Sequence, residues 1–174
     1  SELEELVRRL REVSKRLNEE LDRILDRTRR LAERISEDIK RLADETKEVI
    51  ERIKEEIKKK GPDERVKRKL EELKRRHDEA SKTVRKKIED LLKEHRDLSK
   101  ELEDKHRDLE DKLRKANVDE EIEKEARELL RDNRRRIEEI NREVEELIRR
   151  LEKLLKEVNE TVKRLLEEIR KDLD

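Results

Sequence analysis

The chain has 174 residues, 60% of them charged and 29% hydrophobic, with one Gly, one Pro and no Cys, Met, Phe, Trp or Tyr. Its 52 basic and 52 acidic residues cancel, and the balance by segment is +1 over 1–60 (18 against 17), +3 over 61–116 (19 against 16) and −4 over 117–174 (15 against 19). None of these is the basic face that nucleic acid demands, and no aromatic side chain is present to stack on bases. The absence of cysteine excludes disulfides, thiolate chemistry and Cys-ligated metals, and with no apolar run longer than two residues, neither a transmembrane span nor a signal-peptide core is expected.

So much charge at such low hydropathy also describes disordered chains. The sustained apolar periodicity decides against that, and Leu, Glu, Lys and Arg with almost no breakers place the chain in the long-helix or coiled-coil class. Ser1 and Glu4 have the spacing of a capping box. The apolar stripe of the first helix, over about 2–60, starts Leu3, Val7, Leu10 and continues through Ser14, Leu17 and Leu21 to Ile57. It stops at KKKGPDE, where Gly61 can take the left-handed conformation that ends a helix. Pro62 has a φ suited to a first turn, and Asp63 and Glu64 favour the positive end of the next helix.

The second helix is predicted over 63–115, with Val66, Leu70, Leu73, His77, Ala80 and Val84 beginning its core stripe. The steps run 4, 3, 4, 3, 4 and repeat, which is eighteen residues in five turns. That is 3.6 residues per turn rather than the heptad's 3.5, so the helices should be nearly straight. At KANVDEE, Asn117 is suited to a left-handed stop and Asp119 to an N-cap. The third helix follows over 119–173. Short connections make neighbours antiparallel. The expected fold is all-α: one up-down-up three-helix bundle over 1–174, nearly untwisted, each helix roughly 80 Å long at ~1.5 Å per residue.

Helices one and three carry extra apolar residues beside the stripe: Leu6, Val13, Leu25, Ala32, Ala43 and Ile50, then Leu130, Ile148, Leu154 and Leu166. Helix two has little beyond Leu92. These flanks are expected to seal the edges of a three-helix core. The alternative is a groove for a fourth helix or a second copy of the chain.

Polar residues occupy core positions at regular levels. With the first turn setting the register, residues of helices one and two whose numbers sum to about 123 lie level, and about 236 does the same for helices two and three. His77 then falls level with Thr46 and Asn159, and His95 with Thr28 and Asn141. Each histidine has a serine one turn on, Ser81 and Ser99. The second layer is the first moved by eighteen residues on every helix. His106 falls near Asn18 and, less well, Asn133. Neutral imidazole has one donor and one acceptor, and Thr, Ser and Asn supply both complements. An unpaired buried polar group costs about 1–3 kcal/mol, so such layers must be nearly fully connected, and they fix register because sliding a helix sets His against Leu.

The straight repeat, the Glu/Lys/Arg surface, the GPDE and NVDEE turns and the layered polar residues together resemble de novo designed helical bundles with buried hydrogen-bond networks. The resemblance covers the whole chain. It implies a structural scaffold, and the histidine-bearing members of that class look built to respond to acid. The residues matching that idea are His77, His95 and His106, with Thr28, Thr46, Asn141 and Asn159. The third layer departs from the pattern because its partners align less well. Spectrin-like natural bundles usually carry aromatic core residues, and none is present.

A neutral buried histidine that gains a proton adds a buried charge and a donor without an acceptor, so stability should fall below pH ~6.5. No enzyme is expected. His77, Asp78 and Ser81 contain the letters of a triad, but a continuous three-helix core offers no pocket or oxyanion hole. No metal or cofactor is expected either: Glu103 and His106 have Glu-x-x-His spacing, but di-iron bundles need two such motifs and two further carboxylates. The expected partners are none required and no nucleic acid. Helices with narrow apolar stripes and no Trp or Phe also argue against membrane binding at neutral pH, with acid-triggered membrane activity as an alternative. The chain is expected to be a monomer, with self-association or an added helix as the other readings.

Overall fold

The computed structural model describes residues 2–116 and 119–174, without the side chains of residues 2 and 3. Three α-helices account for nearly all of it: α1 (Glu2–Lys60), α2 (Glu64–Lys115) and α3 (Glu120–Leu173). The fold is all-α, an up-down-up three-helix bundle, and no strand occurs among the described residues. Ser1 with its capping box and the stop at Asn117 lie outside the described residues, and so does the core side chain expected at Leu3.

The first turn follows from three residues. Gly61 has φ 76°, and its N–H donates to the Ile57 carbonyl at 2.8 Å, closing the last turn of α1. Lys58, Lys59 and Lys60 add positive charge at that carbonyl end. Pro62 cannot continue the helix. Asp63 then sits just outside α2 as its N-cap, its Oδ1 accepting from Val66 N at 2.9 Å. Asp119 caps α3 in the same way, accepting from Ile122 N at 3.1 Å. Both aspartates precede their helices rather than begin them, so α2 and α3 start one residue after the sequence-based boundaries.

By contacts the chain forms two compact units, each holding a segment of every helix. Unit 1 contains Ser1–Arg30 with Leu91–Leu147, and unit 2 contains Leu31–Asp90 with Ile148–Asp174. In unit 2 the core beside the first turn gathers Ile50, Ile53, Val66, Leu70, Leu73 and Ile169. In unit 1, Arg11 pairs with Glu125, Asp22 with Arg136 and Arg29 with Glu143, all at an offset of 114 residues. A constant offset means that the α1 and α3 segments there run parallel in a single register.

The buried positions repeat every eighteen residues on each helix. On α1 they include Leu10, Thr28 and Thr46, then Ser14, Ala32 and Ile50, then Leu17, Ile35 and Ile53. On α2 they are Val66, Val84 and Leu102, then Leu70, Ile88 and His106, with Leu73 and Leu91, His77 and His95, Ser81 and Ser99. On α3, Ala126, Val144 and Val162 form one such set. Every core position expected from the sequence is buried or half-buried where its side chain is described.

One detail of the stripe differs. Where two adjacent residues compete for a seat, the one expected to flank the core is often the deeper. Leu25, Ala32, Ile50, Leu130 and Ile148 are buried, while Ile24, Leu31, Val49, Leu129 and Leu147 are half-buried. On α2 the seat goes to Ser81 and Ser99 rather than Ala80 and Leu98. The steps are therefore 4, 3, 4, 4, 3, still eighteen residues, with the extra four placed after the histidine. Among the described large apolar side chains, Val13 is the exposed one, at 36%.

Candidate functional site: the buried polar layers

The layer at His77 lies in unit 2 and joins all three helices. Thr46 Oγ1 on α1 is 3.3 Å from His77 Nδ1 on α2, and His77 Nε2 is 2.9 Å from Asn159 Oδ1 on α3. An amide oxygen only accepts, so Nε2 carries the proton and Nδ1 accepts from the threonine hydroxyl. Asn159 Nδ2 then donates to Ser81 Oγ at 2.8 Å. Both ring nitrogens are paired. A cleft of about 400 Å³ between α2 and α3 opens onto this layer, lined by Leu70, His77, Ser81, Asn159, Val162 and Leu166 among others.

The layer at His95, in unit 1, shares the residue types but not the bonding. His95 Nε2 is 3.0 Å from Asn141 Oδ1, and Ser99 Oγ donates to the same oxygen at 2.7 Å. Asn141 Nδ2 turns away to Glu103 Oε1, 3.4 Å distant. Thr28 is buried at 5% exposure but leaves the ring unpaired: His95 Nδ1 has no hydrogen-bond partner. Among the described residues it is the one buried side-chain nitrogen or oxygen in that condition.

The difference traces to one position on α2. Glu103 lies four residues beyond Ser99, and the equivalent place beyond Ser81 holds Arg85. A carboxylate accepts the asparagine amide; a guanidinium has no acceptor to offer. Asn159 Nδ2 therefore bonds to its serine, and Asn141 Nδ2 bonds past its serine to the glutamate.

His106 does not meet Asn18 or Asn133, contrary to the layer expected at that level. Its Nε2 is 3.0 Å from the Leu130 carbonyl oxygen, and its Nδ1 is 3.2 Å from Glu110 Oε1. Arg134 on α3 pairs with the same carboxylate. The reason is its phase. His106 stands eighteen residues after Ile88 and thirty-six after Leu70, so it occupies a different seat from His77 and His95. Asn18 and Asn133 instead form a cluster without a titratable group. Asn133 Nδ2 donates to Ser14 Oγ at 2.9 Å, while Asn18 Nδ2 donates to the Ser14 carbonyl at 2.9 Å and to Asn133 Oδ1 at 3.3 Å. Ser14, expected only as a core position, is the hub of this cluster.

The electrostatics single out His95. Burial pushes its ring below the ordinary histidine range, against the smaller opposing effects of the Asn141 hydrogen bond and of Glu145, with Arg96 adding to the depression.

No protein-family model matches the chain, and no curated protein does. Among solved structures, the chain is similar to one described as a "Computationally designed three helix bundle", with 20% identity and a TM-score of 0.57. The match covers 99% of this chain and 90% of that one. At that identity the likeness carries the fold, three long helices in one chain. No group of three or more His, Cys, Asp or Glu side chains able to hold a metal occurs among the described residues. None of the helices is long and apolar enough to cross a membrane over the described residues.

Proposed function

We propose that this chain is a non-natural structural scaffold whose buried His/Thr/Asn/Ser layers lock helix register and weaken the fold in acid. The observation that carries this reading is the His77 layer, where one ring, one hydroxyl and one amide from three helices complete each other's hydrogen bonds. Slipping any helix by a turn would leave each of those groups unpaired in the core, at about 1–3 kcal/mol apiece. The eighteen-residue seats that recur on all three helices, and the designed bundle of similar fold, support an origin by design. A scaffold of this kind needs no catalytic group, cofactor or nucleic acid.

The acid response rests on His95, whose ring is held below the ordinary histidine range by burial. The sign follows from linkage. A histidine depressed in the folded state binds fewer protons folded than unfolded, so stability is complete above pH ~6.5 and declines as pH falls from there toward the folded value. Guanidinium denaturation at pH 7.5 and 4.5 tests the reading: the midpoint is lower at pH 4.5, and equal midpoints reject it. The buried flanks Leu25, Ala32, Ile50, Leu130 and Ile148 support a self-contained monomer, for which light scattering should give 21.4 kDa; twice that mass would favour self-association.

A further inference from the structure

The three histidines differ in what a second ring proton would meet. Around His77, the proton arrives at Nδ1 beside the Thr46 hydroxyl at 3.3 Å, and a hydroxyl can turn from donor to acceptor. The cleft between α2 and α3 also opens onto this layer. Around His106, Nε2 already donates to the Leu130 carbonyl, and Nδ1 faces the Glu110 carboxylate at 3.2 Å. Both ring nitrogens of His106 face acceptors, so a second proton completes a hydrogen bond there and forms an ion pair. Arg134 on α3 shares that carboxylate.

His95 is the opposite case. Its Nδ1 is buried with no partner. The charged groups acting on it are Glu145 on α3 and Arg96 on its own helix, and Glu103, also on α2, accepts from Asn141 Nδ2. None supplies an acceptor at Nδ1. A second proton here creates a buried cation whose new N–H has nothing to bond, the costliest of the three outcomes.

We infer that the acid response is localised: the His95–Asn141–Ser99 layer of unit 1 is the point that opens, while the His77 layer and the His106–Glu110–Arg134 cluster, whose ring nitrogens all face a polar partner, hold. The chain is then not a switch with three equal histidines. It has one acid-labile layer and two other histidine sites in which both ring nitrogens face a partner. This rests on the acid response proposed above but makes a separate claim about where it resides.

Two measurements on the full chain decide it. In the first, His77→Asn, His95→Asn and His106→Asn are each denatured at pH 7.5 and 4.5. His95→Asn should lose most of the parent's midpoint difference, and His77→Asn and His106→Asn should keep it. If His77→Asn or His106→Asn removes the difference while His95→Asn keeps it, the localisation is wrong although the acid response stands. In the second, hydrogen exchange and ring N–H signals of the parent are followed by NMR at pH 7.5 and 5. Protection should fall most around residues 91–99 and 137–144. Uniform loss of protection, or loss centred on His77 or His106 instead, overturns the inference.

Discussion

His77 Nε2 and Asn159 Oδ1 stand 2.9 Å apart, joining α2 to α3 through a bond in which each partner has a further partner behind it. That makes the pair cooperative in a way that mutation can measure. Asn159→Leu leaves the His77 N–H unpaired in the core and should cost about 1–3 kcal/mol. The double variant His77→Leu/Asn159→Leu removes both ends of the bond and should cost less than the sum of the single changes. A double-mutant cycle by guanidinium denaturation at pH 7.5 gives the coupling directly, and additivity would mean that the bond contributes nothing.

The two histidine layers should also respond unequally to the same substitution at neutral pH. His77→Leu strands the Thr46 hydroxyl and leaves Asn159 Oδ1 without its donor. His95→Leu strands neither: Asn141 Oδ1 still accepts from Ser99, and the orphaned Nδ1 disappears. His77→Leu is therefore expected to be the more damaging by about 1–3 kcal/mol, read as the difference between the two denaturation midpoints at pH 7.5.

The pH profile of the parent should have a definite shape. Between pH 8 and ~6.5 His95 adds no slope to the unfolding free energy. Below that it falls by up to ~1.4 kcal/mol per pH unit for His95, because the unfolded chain takes up the proton that the folded ring resists. The fall ends once the folded ring is itself protonated. Denaturation at half-unit steps from pH 8 to 4.5 checks the sign, and stability rising as pH falls from 6.5 would contradict it.

The turn at Gly61 isolates a backbone effect. A Cβ added there meets no atom within 4 Å, so only the φ of 76° opposes a side chain. Gly61→Ala should cost about 1–2 kcal/mol from left-handed backbone strain, while Gly61→Asn, which tolerates that conformation better, should cost less. Thermal or chemical melts of the two variants separate strain from packing. By contrast, Arg29→Ala breaks an exposed pair with Glu143 and should change stability by less than ~1 kcal/mol.

The helices, turns and heights of the polar layers were legible because each depends on a local rule or on counting. Gly61 and Asp119 state their turn chemistry outright, and eighteen residues in five turns is a property of the helix itself. What counting cannot give is direction. It placed Thr28 level with His95 and Asn18 level with His106, yet neither reaches the ring, since level residues can still point to different seats. Two signals were available. His106 shares its place in the repeat with Leu70 and Ile88, not with His77, and it has Glu110 one turn on. Glu103 and Arg85 occupy equivalent places with opposite hydrogen-bonding capacity, which separates two layers that otherwise look identical. Ser14 was harder to assign, because a serine in a leucine stripe reveals a polar level without saying which amide will use it.

The most direct test of the account compares the parent with His77→Asn/His95→Asn/His106→Asn by guanidinium denaturation, followed by circular dichroism at pH 7.5 and 4.5. The account predicts that the parent's midpoint drops at pH 4.5 and that the triple variant shows no such drop. Equal midpoints for the parent, or an undiminished drop in the variant, would contradict it.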